Sequence, residues 1–265
     1  MSSALRTARI PALDEVRGLV HGFERRSLAR SESALAVELG GLSGPPRPPP
    51  ALDEPSEASR RRVAEALAPT GRLFLLKQVH GAAVRRAPWT GRPEADAGVA
   101  SEGGTIVGIE TADCLPVLVV DPVRRAVAAA HAGWRGTAAG VVRAAVAALV
   151  EGGSRPADLI AATGPGIGPC CYEVGDELRA AFGPEGAAFF RPGPRGRPHL
   201  DVRAANERQL REAGIPAARL HRVDDCTRCR ADLYHSYRRD GPNAGRMINF
   251  VGFSYSSLLA RSSSD

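Results

Sequence analysis

Lysine is almost missing from this 265-residue chain: Lys77 is the single one, and arginine supplies the rest of the basic charge. Aromatic residues are sparse at 5%, and methionine occurs twice. A nucleic-acid surface built from a basic stripe interleaved with aromatics therefore has little to draw on, although the net charge is +6. The arginines are scattered, and abundant alanine, glycine and proline give the skew of a GC-rich genome. Cysteine is also scarce, with five in the chain. An odd, low count favours free thiols, metal ligation or catalysis over a disulfide framework. Histidine occurs six times, too few for a multicopper cluster beside any other histidine site. No run approaches the roughly 18 uncharged apolar residues of a membrane span, and no apolar stretch follows the first basic residue as in a signal peptide. A cytoplasmic location is expected, with neither membrane nor nucleic acid as partner.

Apolar residues make up 43% and charged residues 24%, an ordinary balance for a globular protein with a sizeable core. Residues 1–40 are weakly patterned. Gly41–Pro50 is a Pro/Gly run that excludes helix and central strand, and a helix is expected over Asp53–Leu67. Apolar runs predict strands at Arg72–Val79, Ile106–Ile109, Leu115–Val120 (broken at Pro116), Ala126–Ala130, Leu159–Thr163, Leu233–Tyr237 and Arg246–Phe253. Helical periodicity predicts Thr137–Leu149, Val174–Phe182 and Val202–Ala213, with a tight turn over His131–Gly136. Strands alternate with helices, which argues for a layered α/β or α+β fold.

Three residues stand where a strand hands over to a loop: His80 in Lys77-Gln78-Val79-His80-Gly81, Cys114 in Thr111-Ala112-Asp113-Cys114, and His131 in His131-Ala132-Gly133-Trp134-Arg135-Gly136. Taken singly, each is an ordinary strand-end residue. Together they are two imidazoles and a thiolate, ligand types that zinc prefers, and three protein ligands leave a fourth position open as in a catalytic site. The same set matches the equatorial ligands of a blue-copper site, and Cys114 with a histidine base would equally make a thiol hydrolase. Arg135 beside a metal suits phosphate or carboxylate, or it stacks on Trp134. Asp113 and Glu173 are candidate acid/base groups, and Arg135 and Arg238 a candidate phosphate cradle. The loop Gly164–Cys171 fails the dinucleotide fingerprint, because the third glycine falls on Pro169. Cys226-Thr227-Arg228-Cys229 is half a zinc ribbon without a second pair, so a packing role is expected for it.

The segments KQVHG (77–81), TADCLPVLVVD (111–121), AAAHAGWRGTAAGVV (128–142), GPGIGPCCYEVG (164–175) and SYRRDGPNAGR (236–246) together resemble the YfiH / laccase-domain family. Its members carry the older name multicopper polyphenol oxidase and the newer name purine nucleoside phosphorylase. The likeness runs from about Leu73 to Phe253. It implies an α/β/β/α single domain with mixed sheets, made of a divergent segment 1–70 and a zinc-binding core 71–265. It implies a zinc ion on the residues matching His80, Cys114 and His131, with copper the lesser candidate. The implied activities are phosphorolysis of adenosine, inosine and methylthioadenosine, and deamination of adenosine. Editing of a peptidoglycan precursor is an alternative attached to some members. Purine nucleosides and phosphate are the expected partners, with Gln78, Trp134, Arg135, Glu173 and Arg238 as candidate substrate contacts. A monomer and a homodimer are equally compatible. The family's Gly-Gly-Val-Ser and Asn-Arg segments are replaced here by Val20-His21-Gly22-Phe23, a displaced Gly40-Gly41-Leu42-Ser43, and Ser59-Arg60. If that part closes the pocket, substrate preference is expected to differ.

Overall fold

The computed structural model describes residues 5–26 and 56–255. The Pro/Gly run 41–50 and the displaced segment 40–43 lie outside the described residues. In chain order the elements are β1 (Thr7–Ala8), α1 (Pro11–Asp14), β2 (Leu19–Glu24), α2 (Ser56–Leu67), β3 (Arg72–Leu75), β4 (Val84–Arg86), β5 (Ala97–Ala100), β6 (Thr105–Thr111), β7 (Leu115–Asp121) and β8 (Ala126–Ala132). There follow α3 (Trp134–Ala138), α4 (Val141–Glu151), β9 (Ile160–Thr163), α5 (Glu177–Ala181), β10 (Phe190–Pro192), β11 (Pro198–Leu200), α6 (Val202–Glu212), β12 (Leu220–Arg222), α7 (Tyr237–Asp240) and β13 (Met247–Phe253).

Two mixed sheets lie face to face. One has the order β1-β2-β13-β6-β3, the other β12-β9-β7-β8-β5-β4. The alternation of β7 explains the layering, because successive side chains of a strand leave by opposite faces. Val117 and Val119 pack with Val142, Val146 and Leu149 of α4 and with Leu210 of α6. Leu118 and Val120 pack instead on Val107, Ile109 and Val251 of the other sheet. The outer face of that sheet, through Ile106, Ile248 and Phe250, meets Val63 and Leu67 of α2. The result is α/β/β/α, and β7 and β8 are buried along their whole length, as strands covered on both faces must be.

Several local expectations give way to this packing. β7 runs unbroken through Pro116. The Pro116 carbonyl accepts from Gly164 N at 2.8 Å just beyond the end of β9, so the missing N–H faces the point where that ladder stops. His131 belongs to β8 rather than to a turn, and the chain enters α3 directly after Gly133. The helix expected over Thr137–Leu149 is two helices, divided at Gly140, whose φ of 81° suits glycine alone. Only Glu177–Ala181 of Val174–Phe182 is helical. Leu233–Tyr237 is no strand. It turns through bonds from Leu233 N and Tyr234 N to Arg230 O, and Ser236 caps α7 by accepting from Arg239 N. The weakly patterned N-terminal part contributes β2, which pairs with β13 over five residues.

Candidate metal centre and cleft

Hairpin geometry builds the site. β7 and β8 pair antiparallel with Leu115 opposite Ala132 and Pro116 opposite His131. Cys114, one residue before β7, therefore lies beside His131 near the end of β8. His80 arrives from the segment after β3, where its φ of 62° is one that L residues seldom adopt. A fully buried carboxylate holds that conformation. Asp96 accepts from Val79 N at 3.2 Å, His80 N at 2.9 Å and Gly81 N at 2.7 Å. The same carboxylate lies 2.8 Å from His131 Nδ1, which leaves Nε2 of that ring to face the centre. The ligand atoms of His80, Cys114 and His131 all lie within 4.8 Å of one another. Two imidazoles and a thiol at that spacing, one imidazole oriented by a carboxylate, fit a tetrahedral ion with an open position.

Charge in this cluster is organised before any ion enters. Burial alone would raise the Cys114 thiol, but the His131 charge and hydrogen bonds from His131 and His80 bring it down to about 6. Burial alone would lower His131, but the Cys114 thiolate and the Asp96 carboxylate push it up to about 9. Both shifts favour a thiolate beside an imidazolium. Gly133 is packed against both ligands: a Cβ there would come within 3.0 Å of Cys114 Sγ and 3.2 Å of His80 Cδ2.

The three ligands stand in a cleft of about 710 Å³, a size suited to a small organic molecule. Trp134, Arg135, Tyr172, Tyr237 and Arg238 form much of its wall. Arg135 stacks on Trp134 at 4.3 Å and lines the cleft, so the stacking does not withdraw it from the cleft wall. Arg238 lies 5.1 Å over the Tyr172 ring and donates through Nη1 to Glu173 O at 2.7 Å. Among the described residues neither guanidinium forms an ion pair with a carboxylate. Burial, with the Cys114 charge added, pushes the Tyr172 hydroxyl up to about 12, so it stays a proton donor.

Other candidates have different tasks. The Asp113 carboxylate accepts from Thr227 Oγ1 and from Arg238 N, each at 2.6 Å, and so orients the arginine. Gln78 spends its amide on both backbone groups of Glu110, at 2.7 Å each, while still lining the cleft. Glu173 turns its carboxylate outward to Arg195 at 2.8 Å and is absent from the cleft wall, which removes it as an acid/base group there. Arg60 of α2 reaches Glu110 at 2.8 Å and lines the cleft, so the altered N-terminal part does border the pocket. Asp96 and Tyr172 were not singled out from sequence. The available signal for Asp96 is a carboxylate immediately before the uncharged run Ala97–Ala100.

Residues 53–254 match the family model described as multi-copper polyphenol oxidoreductase laccase. A purine nucleoside phosphorylase of Streptomyces coelicolor is 41% identical over 248 residues, covering 90% of this chain and 97% of that one. An adenosine deaminase from an unknown prokaryotic organism is 40% identical over 162 residues, covering 59% and 61%. The crystal structure of YlmD from Geobacillus stearothermophilus superposes with a TM-score of 0.76 at 30% identity, covering 95% of this chain and 99% of that one. With the two-sheet fold and the His/Cys/His cluster in place, these likenesses agree, and the chain belongs to the multi-copper polyphenol oxidoreductase laccase family, the family of YlmD and YfiH.

Proposed function

We propose that this chain is a zinc-dependent purine nucleoside phosphorylase acting on adenosine, inosine and methylthioadenosine, with adenosine deaminase activity. The observation that carries the reading is the convergence of the His80, Cys114 and His131 ligand atoms, all within 4.8 Å, in a cleft that also holds Arg135 and Arg238. The names borne by the similar proteins support the substrate class. A zinc ion on these three residues would supply Lewis acidity, which makes water a nucleophile at neutral pH.

The chain's own residues do the rest. Arg135 and Arg238 offer planar, permanently charged donors for phosphate, the two-point contact that guanidinium geometry favours. Trp134, Tyr172 and Tyr237 provide flat apolar faces on which a purine can lie. Asp113 holds Arg238 by its backbone, and Asp96 holds His131 and the His80 segment. Asp113 is thereby a positioning residue in this scheme.

Incubation of the purified protein with adenosine, with and without phosphate, tests the reading. Ribose-1-phosphate is expected only with phosphate, and inosine in both cases. Absence of both products overturns it. Metal analysis of the same preparation separates zinc from copper. Among the described residues the remaining histidines do not gather into a second imidazole centre: His199 lies on Pro169 O, and His21 on Ile10 N. An intense blue copper band would nonetheless overturn the zinc assignment.

One observation favours a second reading. The Cys114 thiol lies within 4.8 Å of the His131 imidazole, which Asp96 orients, and this is the nucleophile–base–carboxylate arrangement of a Cys/His amidase, the chemistry suited to editing a peptidoglycan precursor. Amide hydrolysis by the metal-free protein, abolished by thiol alkylation, would establish that reading in place of the first.

A further inference from the structure

The CxxC of Cys226 and Cys229 does have a second pair. It is supplied by the adjacent residues Cys170 and Cys171, far away in sequence and brought alongside by the fold. All four Sγ atoms lie within 4.8 Å of one another, with Cys171 to Cys229 at 3.4 Å and Cys170 to Cys229 at 3.7 Å. Four sulfurs around a zinc ion at about 2.3 Å stand about 3.8 Å apart, and the spacings of 3.4 and 3.7 Å agree with such a cage.

The backbone around the thiols is shaped for the same purpose. Gly166 bridges Cys226 in parallel register, and Thr227 N donates to Gly166 O at 3.1 Å. Each segment then turns back on itself, through Cys171 N to Gly168 O at 2.9 Å and Arg230 N to Cys226 O at 3.0 Å. Gly168 N donates to Cys226 Sγ at 3.2 Å, an N–H···S bond that favours the thiolate. A Cβ at Gly168 would come within 3.2 Å of Cys170 Sγ and 3.3 Å of Cys226 Cβ, so the turn requires that close approach. Arg228 Nη1 lies 3.5 Å from Cys171 Sγ and offsets negative charge at the cluster.

The geometry points to a second, structural metal site in which Cys170, Cys171, Cys226 and Cys229 bind one zinc ion. Binding releases four thiol protons to solvent and leaves a closed four-sulfur shell of net charge −2, with no position for substrate. No oxidant is needed, unlike a scheme of two disulfides. The site would clamp the Gly164–Glu173 loop to the 226–230 turn. Thr227 lies inside that turn and donates to Asp113, so the clamp braces the wall on which Asp113 holds Arg238. The inference is independent of the nucleoside reading.

Zinc per chain, measured by mass spectrometry on full-length protein grown with zinc, tests it. Wild type is expected to carry two equivalents, and Cys114→Ala and Cys226→Ser/Cys229→Ser one each. A wild type that carries a single equivalent, retained in Cys114→Ala and absent from the double variant, supports the cysteine site and counts against zinc in the cleft. If the double variant does not fold, cobalt(II) added to metal-stripped Cys114→Ala decides the matter. The intense visible and near-ultraviolet bands of a tetrahedral tetrathiolate centre are expected. Their absence overturns the proposal, as does a metal-free Cys114→Ala, iron in place of zinc, or thiols that resist alkylation until reduced.

Discussion

Asp96 Oδ1 lies 2.8 Å from His131 Nδ1, while the same carboxylate accepts three consecutive backbone amides, those of Val79, His80 and Gly81. One buried side chain thus sets the ring orientation of one candidate ligand and the backbone conformation of another. Burial by itself would raise its pKa. The His131 hydrogen bond and charge and the amides of Gly81 and Val79 outweigh burial and hold the carboxyl below its usual range. Asp96→Asn keeps the shape but removes the charge and one acceptor. Metal affinity in the cleft, measured by competition with a chromogenic chelator, is expected to fall about 10- to 100-fold. Unchanged affinity would show that Asp96 serves folding alone.

Gly133→Ala tests the close packing of the ligands. Its φ of −68° is one that any residue adopts, so the added methyl acts only through contact with Cys114 Sγ and His80 Cδ2. Displacement by a few tenths of an ångström is expected to lower kcat/KM at least about tenfold, since misplacement by 1 Å can cost about 100-fold. The melting temperature is expected to change little. Full activity would mean that the ligands can shift without consequence.

Arg135→Ala and Arg238→Ala separate phosphate binding from deamination. A charge-assisted hydrogen bond contributes roughly 1.5–3 kcal/mol, so the KM for phosphate is expected to rise about 10- to 100-fold in each variant. Inosine formation without phosphate is expected to be far less affected. An unaltered phosphate KM in both variants would move the cradle elsewhere.

His21 predicts a pH dependence of stability. Its side chain is fully buried, and burial together with the Arg9 charge, opposed by Asp14, brings its pKa down to about 4 from the ordinary 6.5. The folded state keeps the ring neutral while the unfolded chain protonates it. Stability is therefore complete above about pH 6.5 and falls as pH drops toward 4, by about 3 kcal/mol from this group. His21→Gln retains an acceptor for Ile10 N, which now meets Nε2 at 3.3 Å, and removes the titration. Urea midpoints between pH 7.5 and 4.5 should fall less steeply in the variant, and parallel profiles would rule out His21 as the source.

Much of the strand content was legible because burial on both faces demands uninterrupted apolar runs. Ala126–Ala130 is such a run, and β8 occupies it and continues through His131 to Ala132. The boundary errors run both ways. Pro116 reads locally as a breaker yet leaves β7 intact, because its missing N–H faces the point where the β9 ladder stops. Gly140 reads as one more helical position yet divides α3 from α4, because its φ of 81° lies outside the helical region. Leu233–Tyr237 looks like a strand by composition, yet it joins no sheet among the described residues, and it turns to carry Tyr237 and Arg238 to the cleft.

By itself, the sequence determined which side chains can do chemistry: two imidazoles and a thiol at strand ends, arginines beside them, four further cysteines, and the family motifs that frame them. Only the tertiary structure decided which of these meet. Cys114 reaches His131 through the register of the β7–β8 pair, and Cys170 and Cys171 reach Cys226 and Cys229 through the packing of two loops distant in the chain. Local periodicity records the period of an element and the face that it buries. It does not record the closure of long loops, where the cost of bringing the ends together is met by contacts spread over the whole core.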